Sequence, residues 1–301
     1  MPVSLGRTLA TQLDVFVCIG TSSGPVALVV AGIHGDEYEG PAAVAQFASE
    51  ISVELVSGIV LLVPVAHPTA FEAGTRTSPI DRLNLARVFP GKADGRPTER
   101  LAHFLFSEFA LAADYLIDLH SGGVDYQFLP LAGFYGHPER RNPSWEAALM
   151  MGLPALWQLP ETDGVLSREF TRLGKTAVGA EYLGGGSLAD QGIREYVQGI
   201  WSCLTYWGVC KGPMTKPSRE ATILGNDWLP APASGLFHAC CKLGDLVRGG
   251  ERLATIRDRR GSLLAEVVAE ENGLVLGLRN KAYIQEKEQA VLVGTMLTLK
   301  E

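Results

Sequence analysis

Two apolar runs, residues 26–31 and, interrupted only by Asp118, 115–119, each hand the chain on to a histidine, and no other feature restricts the fold as strongly. A strand without polar alternation has both faces covered, the environment of a parallel sheet with helices packed above and below it. The first run, Val26-Ala27-Leu28-Val29-Val30-Ala31, leads into Gly32-Ile33-His34-Gly35-Asp36-Glu37. The second, Tyr115-Leu116-Ile117-Asp118-Leu119, ends on His120. Open α/β sheets bind ligands beyond the carboxyl ends of their strands, so both histidines stand where chemistry is done. Two imidazoles and the Glu37 carboxylate form a donor set that suits Zn²⁺ and leaves a fourth position for water or substrate. A lone His-x-x-Glu carries little weight, whereas two strand ends with matched ligand types carry much more.

The alternation continues along the chain. Residues 41–51 read as a helix with Pro41 in its first turn. Residues 59–65 form a second buried strand, and 98–112 a helix with Thr98 as its N-cap. Helices are expected at 144–151 and 188–208, strands at 155–158 and 176–181, and a further element from Leu166. This predicts an α/β fold: a mostly parallel or mixed central sheet with helices on both faces. A polar stretch with two prolines, 211–218, reads as a linker dividing residues 1–212 from a unit at 219–301. Beyond it short strands and turns dominate. Ala233-Ser234-Gly235-Leu236-Phe237 is echoed by Glu271-Asn272-Gly273-Leu274-Val275, which suggests a small two-halved all-β barrel or sandwich. It resembles the biotinyl/lipoyl-type barrel, but the tip Arg257-Asp258-Arg259-Arg260-Gly261 lacks a carrier lysine, so a structural or site-shaping role is expected.

Composition narrows the partners. The chain is 47% hydrophobic and 20% charged, as in ordinary globular proteins. A formal charge of −7 without a basic cluster argues against nucleic acid and anionic membrane. No signal-peptide pattern or membrane-length apolar run is evident, and the five cysteines form no disulfide framework, which points to reduced thiols in the cytoplasm. A homo-oligomer stays open.

With these motifs in place, the chain resembles the succinylglutamate desuccinylase/aspartoacylase family, relatives of the zinc carboxypeptidases, over essentially its full length. The resemblance implies that His34, Glu37 and His120 bind one Zn²⁺ and that Glu181, in Gly179-Ala180-Glu181-Tyr182, is the catalytic glutamate. It further implies that Arg76 stabilises the oxyanion and that Arg87, with Asn84, holds the substrate. Asp118 would orient a metal-bound imidazole. Where the family reads Asn-Leu-Asn-Arg, this chain has Asn84-Leu85-Ala86-Arg87, and His67 stands where Asn before Pro is usual. Both departures bear on substrate identity rather than on the reaction. His103, His137 and His238 are given no role, and Gly184-Gly185-Gly186 reads as a turn.

The implied reaction is zinc-dependent removal of an acetyl, succinyl or similar acyl group from an N-acyl amino acid or related small amine. A carboxypeptidase-like hydrolase of short peptides would use the same groups. A metal-bearing binding protein without catalysis would explain the altered 84–87 segment but not a retained Glu181.

Overall fold

The computed structural model describes residues 12–138, 142–214, 222–225 and 228–296. In chain order these form β1 (Phe16–Ile19), β2 (Ser22–Ala31), α1 (Glu39–Glu50), β3 (Ser57–Val63), α2 (Pro68–Ala73), α3 (Pro97–Leu105), β4 (Tyr115–His120) and β5 (Tyr126–Phe134). Next come α4 (Pro143–Met150), β6 (Ala155–Gln158), α5 (Leu166–Arg172), β7 (Thr176–Gly184) and α6 (Asp190–Tyr206). Short strands complete the chain: β8 (Thr222–Gly225), β9 (Trp228–Pro230), β10 (Gly235–Ala239), β11 (Leu246–Val247), β12 (Arg252–Arg257), β13 (Leu263–Val268), β14 (Gly273–Arg279), β15 (Tyr283–Ile284) and β16 (Gln289–Met296).

One mixed sheet runs β1-β3-β2-β4-β7-β5-β6-β8-β16-β14-β11, with β9 on β16. The strands β3, β2, β4 and β7 are parallel, while β1 and β5 join antiparallel. Side chains of a strand alternate between faces, and here both faces are buried. Ala27, Val29 and Ala31 pack with Val44 and Phe47 of α1 and Tyr196 and Ile200 of α6. Leu28 and Val30 pack on the opposite side with Leu101 and Leu105 of α3 and Phe170 of α5. The expected α/β architecture is the one observed.

The C-terminal strands build a second, antiparallel sheet, β13-β12-β10-β15, which shares a core with β14 and β16. The two echoed segments open β10 and β14. They are not detached from the rest: β14 pairs with β5, and β16 pairs with β8, which lies on β6. The linker read at 211–218 lies partly outside the described residues. Among the described residues, no helix is long and apolar enough to cross a membrane.

Two local expectations need correction. The helix expected from Thr98 begins one residue earlier, at Pro97, because proline fits the first helical position and moves the cap to Arg96. Thr98 instead donates its N–H and hydroxyl to Asp81, at 2.9 and 2.7 Å. Strand β5 has no counterpart in the sequence reading, since Pro130 lies inside it; the register shift between Phe128 and Leu131 accommodates that proline.

Candidate metal and hydrolytic site

Three adjacent parallel strands deliver the site. The loop after β2 carries His34 and Glu37, β4 ends at His120, and β7 carries Glu181 in register with His120. Paired residues of neighbouring strands point to the same face, so His120 and Glu181 stand side by side. The β2 loop is shaped by glycines. Gly32 adopts φ +63°, and a Cβ on Gly35 would fall 1.9 Å from the Ala70 carbonyl carbon. Gly35 also donates its N–H to Thr75, tying the loop to the segment before Arg76.

His34, Glu37 and His120 converge, their donor atoms within 4.8 Å of one another. His34 Nδ1 lies 2.7 Å from Glu37 Oε1, and His120 Nδ1 lies 3.0 Å from Glu37 Oε2. The Ser121 N–H also donates to Glu37 Oε2, at 3.2 Å. Behind the imidazoles stand acceptors. His34 Nε2 is 3.1 Å from Asn84 Oδ1, an atom identified as oxygen because the Ala86 N–H donates to it at 2.8 Å. His120 Nε2 is 3.0 Å from Asp118 Oδ1, in a bent contact rather than an aligned hydrogen bond.

This arrangement tests whether the residues fit a cation. Asn84 fixes the proton of a neutral His34 on Nε2, so Nδ1 turns a lone pair toward a carboxylate oxygen. Two acceptors at 2.7 Å need positive charge nearby, part of which Arg76 supplies at 3.1 Å from the same oxygen. Burial and nearby Arg76 lower the His34 pKa to about 4, which favours the neutral imidazole that a metal ligand must be. For His120, burial works against the imidazolium, but Asp118 and Glu37 outweigh it and hold its pKa well above the ordinary value. Burial likewise opposes the Glu37 carboxylate, and the two histidines more than reverse this, lowering its pKa. Two imidazoles and a carboxylate converging in this way fit a divalent cation, whose binding would displace the His120 proton.

Glu181 has a buried oxygen without a partner. Burial pushes its pKa up to about 8, opposed by His120 and Arg76 and reinforced by Glu37 and Asp118. Arg76 donates to Glu37 Oε1 at 3.1 Å with a third of its side chain exposed, and so borders the cleft. Arg87 lines the same cleft and donates to the Ala86 carbonyl at 2.7 Å; among the described residues it has no carboxylate partner. Burial and neighbouring Arg76 lower its pKa. Asn84 stands behind His34 rather than on the cleft lining, which differs from the substrate-holding place expected for it.

The sequence reading missed several lining residues. Tyr135, Trp157, Leu159, Val165 and Ser167 wall the inner cleft, and Trp228 and Gln289 from the C-terminal strands flank its outer part. The strand-end rule, applied to β6, would have flagged Leu159. His67 is buried beneath the site at the start of α2, where burial lowers its pKa; it does not line the cleft.

Comparisons with known proteins agree with this architecture. The family model for the succinylglutamate desuccinylase/aspartoacylase catalytic domain matches residues 23–207. The N-alpha-acetyl-L-2,4-diaminobutyric acid deacetylase of Halomonas elongata is 31% identical over 91% of this chain and 83% of its own. The product-bound ectoine utilization protein EutE (DoeB) of Ruegeria pomeroyi superposes with a TM-score of 0.87 at 31% identity, covering 94% of this chain and 89% of that one. A succinylglutamate desuccinylase from Silicibacter sp. TM1040 gives a TM-score of 0.87 at 28% identity, covering 95% and 89%. Matched by the family's catalytic-domain model over more than half of its residues, and by a relative along nine-tenths of its length, the chain belongs to the succinylglutamate desuccinylase/aspartoacylase family.

Proposed function

We propose that this chain is a zinc-dependent amidohydrolase that releases an acyl group from an N-acyl amino acid or a related small amine. The observation that carries the reading is the convergence of His34, Glu37 and His120, with donor atoms within 4.8 Å of one another, and Glu181 beside His120. A deacetylase of an N-acetylated amino acid among the relatives supports the substrate class. We assign residues 1–212 to the hydrolytic unit and 219–301 to a β-unit bordering the cleft, and place the protein in the cytoplasm on its five free cysteines.

His34, Glu37 and His120 would hold the ion, and imidazole with carboxylate favours zinc among the common divalent cations. When bound, the ion supplies Lewis acidity toward a water and a carbonyl oxygen. With a cation nearby to lower its raised pKa, Glu181 would accept the proton of the attacking water at its unpartnered oxygen and return it to the leaving nitrogen. Arg76 directs N–H donors toward the carbonyl oxygen as charge grows there, an effect of about 3 kcal/mol per donor. Arg87 grips the substrate carboxylate through its planar fork. Asn84 and Asp118 keep the two imidazoles turned toward the ion.

Peptide hydrolysis would use the same groups. The inner cavity, about 140 Å³, and an outer part bordered by Trp228 and Gln289 favour small substrates instead. The test is metal analysis of the purified protein, followed by assays on N-acetyl and N-succinyl amino acids beside dipeptides. We expect one zinc per chain and deacylation. Glu181→Gln should lower kcat by roughly 10²–10⁴-fold with metal content unchanged. Undiminished hydrolysis by that variant overturns the mechanism.

A further inference from the structure

One part of the cleft is lined by uncharged side chains; the Arg168 guanidinium, 5.6 Å from the Tyr135 ring centroid, is not among the lining. Arg76, Arg87 and Glu181, with Trp157, Pro160 and Thr162, line both of two adjoining cavities and so mark the junction between them. Apart from that junction and from His34 and His120, the side chains lining the first cavity are chiefly Ala86, Leu131, Tyr135, Leu159, Val165 and Ser167. The polar atoms among these side chains are neutral. Tyr135 Oη and Ser167 Oγ lie 3.3 Å apart and satisfy each other, and burial pushes the phenol's pKa up, keeping it protonated.

The floor has a distinct construction. Gly133 of β5 and Gly179 of β7 are register partners, so neighbouring strands both omit a side chain at one level. Leu159, just past β6, occupies the bay they leave. Its side-chain carbons come within 2.7 Å of where a Gly133 Cβ would stand and 3.5 Å of where a Gly179 Cβ would stand. One leucine therefore sets the depth of a cavity whose total volume, with the space over the metal ligands, is about 140 Å³. An engineered apolar cavity of roughly 150 Å³ holds benzene.

We propose that this cavity selects an uncharged, apolar group of the substrate and that Leu159 limits the length of that group. The inference rests on the amide-hydrolase reading and refines its substrate class. A carboxylate carried past the arginines would be desolvated without a cationic partner. Each methylene placed there gains by leaving water. The apolar group has two sources, the acyl chain or the side chain of the amine, and the experiment separates them.

In one series the amino acid is fixed while the acyl group runs from acetyl to hexanoyl, with succinyl beside butanoyl. In the other the acyl group is acetyl and the amino acid runs from alanine to norleucine, with glutamate beside norvaline. In one series kcat/KM should rise roughly fourfold per methylene until the cavity is full. In that series the carboxylate-ended member should lose at least ~100-fold against its uncharged counterpart. Leu159→Ala, verified as folded by circular dichroism, should move the optimum to longer chains in the same series. Equal turnover of charged and uncharged members in both series, or an unchanged length profile in Leu159→Ala, overturns the proposal. If no N-acyl amino acid is hydrolysed, the amide-hydrolase reading fails. Calorimetry on the metal-loaded protein then decides the cavity alone: hexanoate should bind at least tenfold tighter than succinate, and equal binding refutes it.

Discussion

Replacing Asn84 by alanine separates two roles for this residue that the sequence leaves together. Its carbonyl oxygen accepts from His34 Nε2 at 3.1 Å and from the Ala86 N–H at 2.8 Å. The first contact becomes charge-assisted when the imidazole carries a cation, and hydrogen bonds to charged groups contribute about 1.5–3 kcal/mol. At about 1.4 kcal/mol per factor of ten, its loss corresponds to a roughly 10–100-fold weaker metal affinity. The second contact caps a short helical turn, so the variant should also lose about 1 kcal/mol of stability. Competition with a chromophoric chelator measures the metal Kd, and steady-state kinetics at saturating zinc measures KM. We expect the metal Kd to rise while KM stays within about threefold of the parent. An unchanged metal Kd with a tenfold higher KM would refute the orienting role and return Asn84 to the substrate.

Arg87→Lys keeps the charge but loses the planar fork, so KM should rise roughly tenfold or more with kcat little altered; a fall in kcat alone would contradict a carboxylate-gripping role. Gly35→Ala places a methyl 1.9 Å from the Ala70 carbonyl carbon, and denaturant titration should show a loss of roughly 3 kcal/mol or more. Metal-free protein should lose stability between pH 6.5 and about 8. Glu181 (about 8) and His120 are both held above their ordinary pKa. Each therefore binds more protons folded than unfolded in that window, and the loss is on the order of 2 kcal/mol. Thermal melts with chelator at the two pH values check this, and higher stability at pH 8 would refute it.

The features legible in the sequence are those whose cause is local. Apolar runs, the second broken only by Asp118, gave β2 and β4, and the strand-end rule gave His34, Glu37 and His120, which the fold brings together. Three features are not local. Pro130 hides β5 from any pattern of alternation, yet β5 bridges β7, β6 and β14 and so joins the C-terminal strands to the central sheet. Asn84 sits fifty residues from His34, and nothing in its own segment shows that it meets the imidazole's far side. Leu159 belongs to the cavity because Gly133 and Gly179 face each other across two strands, a pairing set by register rather than composition.

The loop after β2 and the ends of β4 and β7 also concentrate negative charge at the site. Asp36, Glu37, Glu39 and Asp118 are all at most 2% exposed, and Glu181 stands beside them. Asp36 receives the Val124 N–H at 2.9 Å and Glu39 the Ala189 N–H at 3.3 Å, so these two hold the loops after β4 and β7 in place. Burial raises the pKa of both. Loops held this way fix the backbone of Ser121 and the turn after Glu181, but they leave carboxylates around a space that Arg76 only partly neutralises. Unpaired buried charge is costly. A divalent cation at Glu37 would offset that cost for every carboxylate around it, so metal binding should stabilise the loops as well as the reacting groups, and the positioning residues and the ligands form one electrostatic unit.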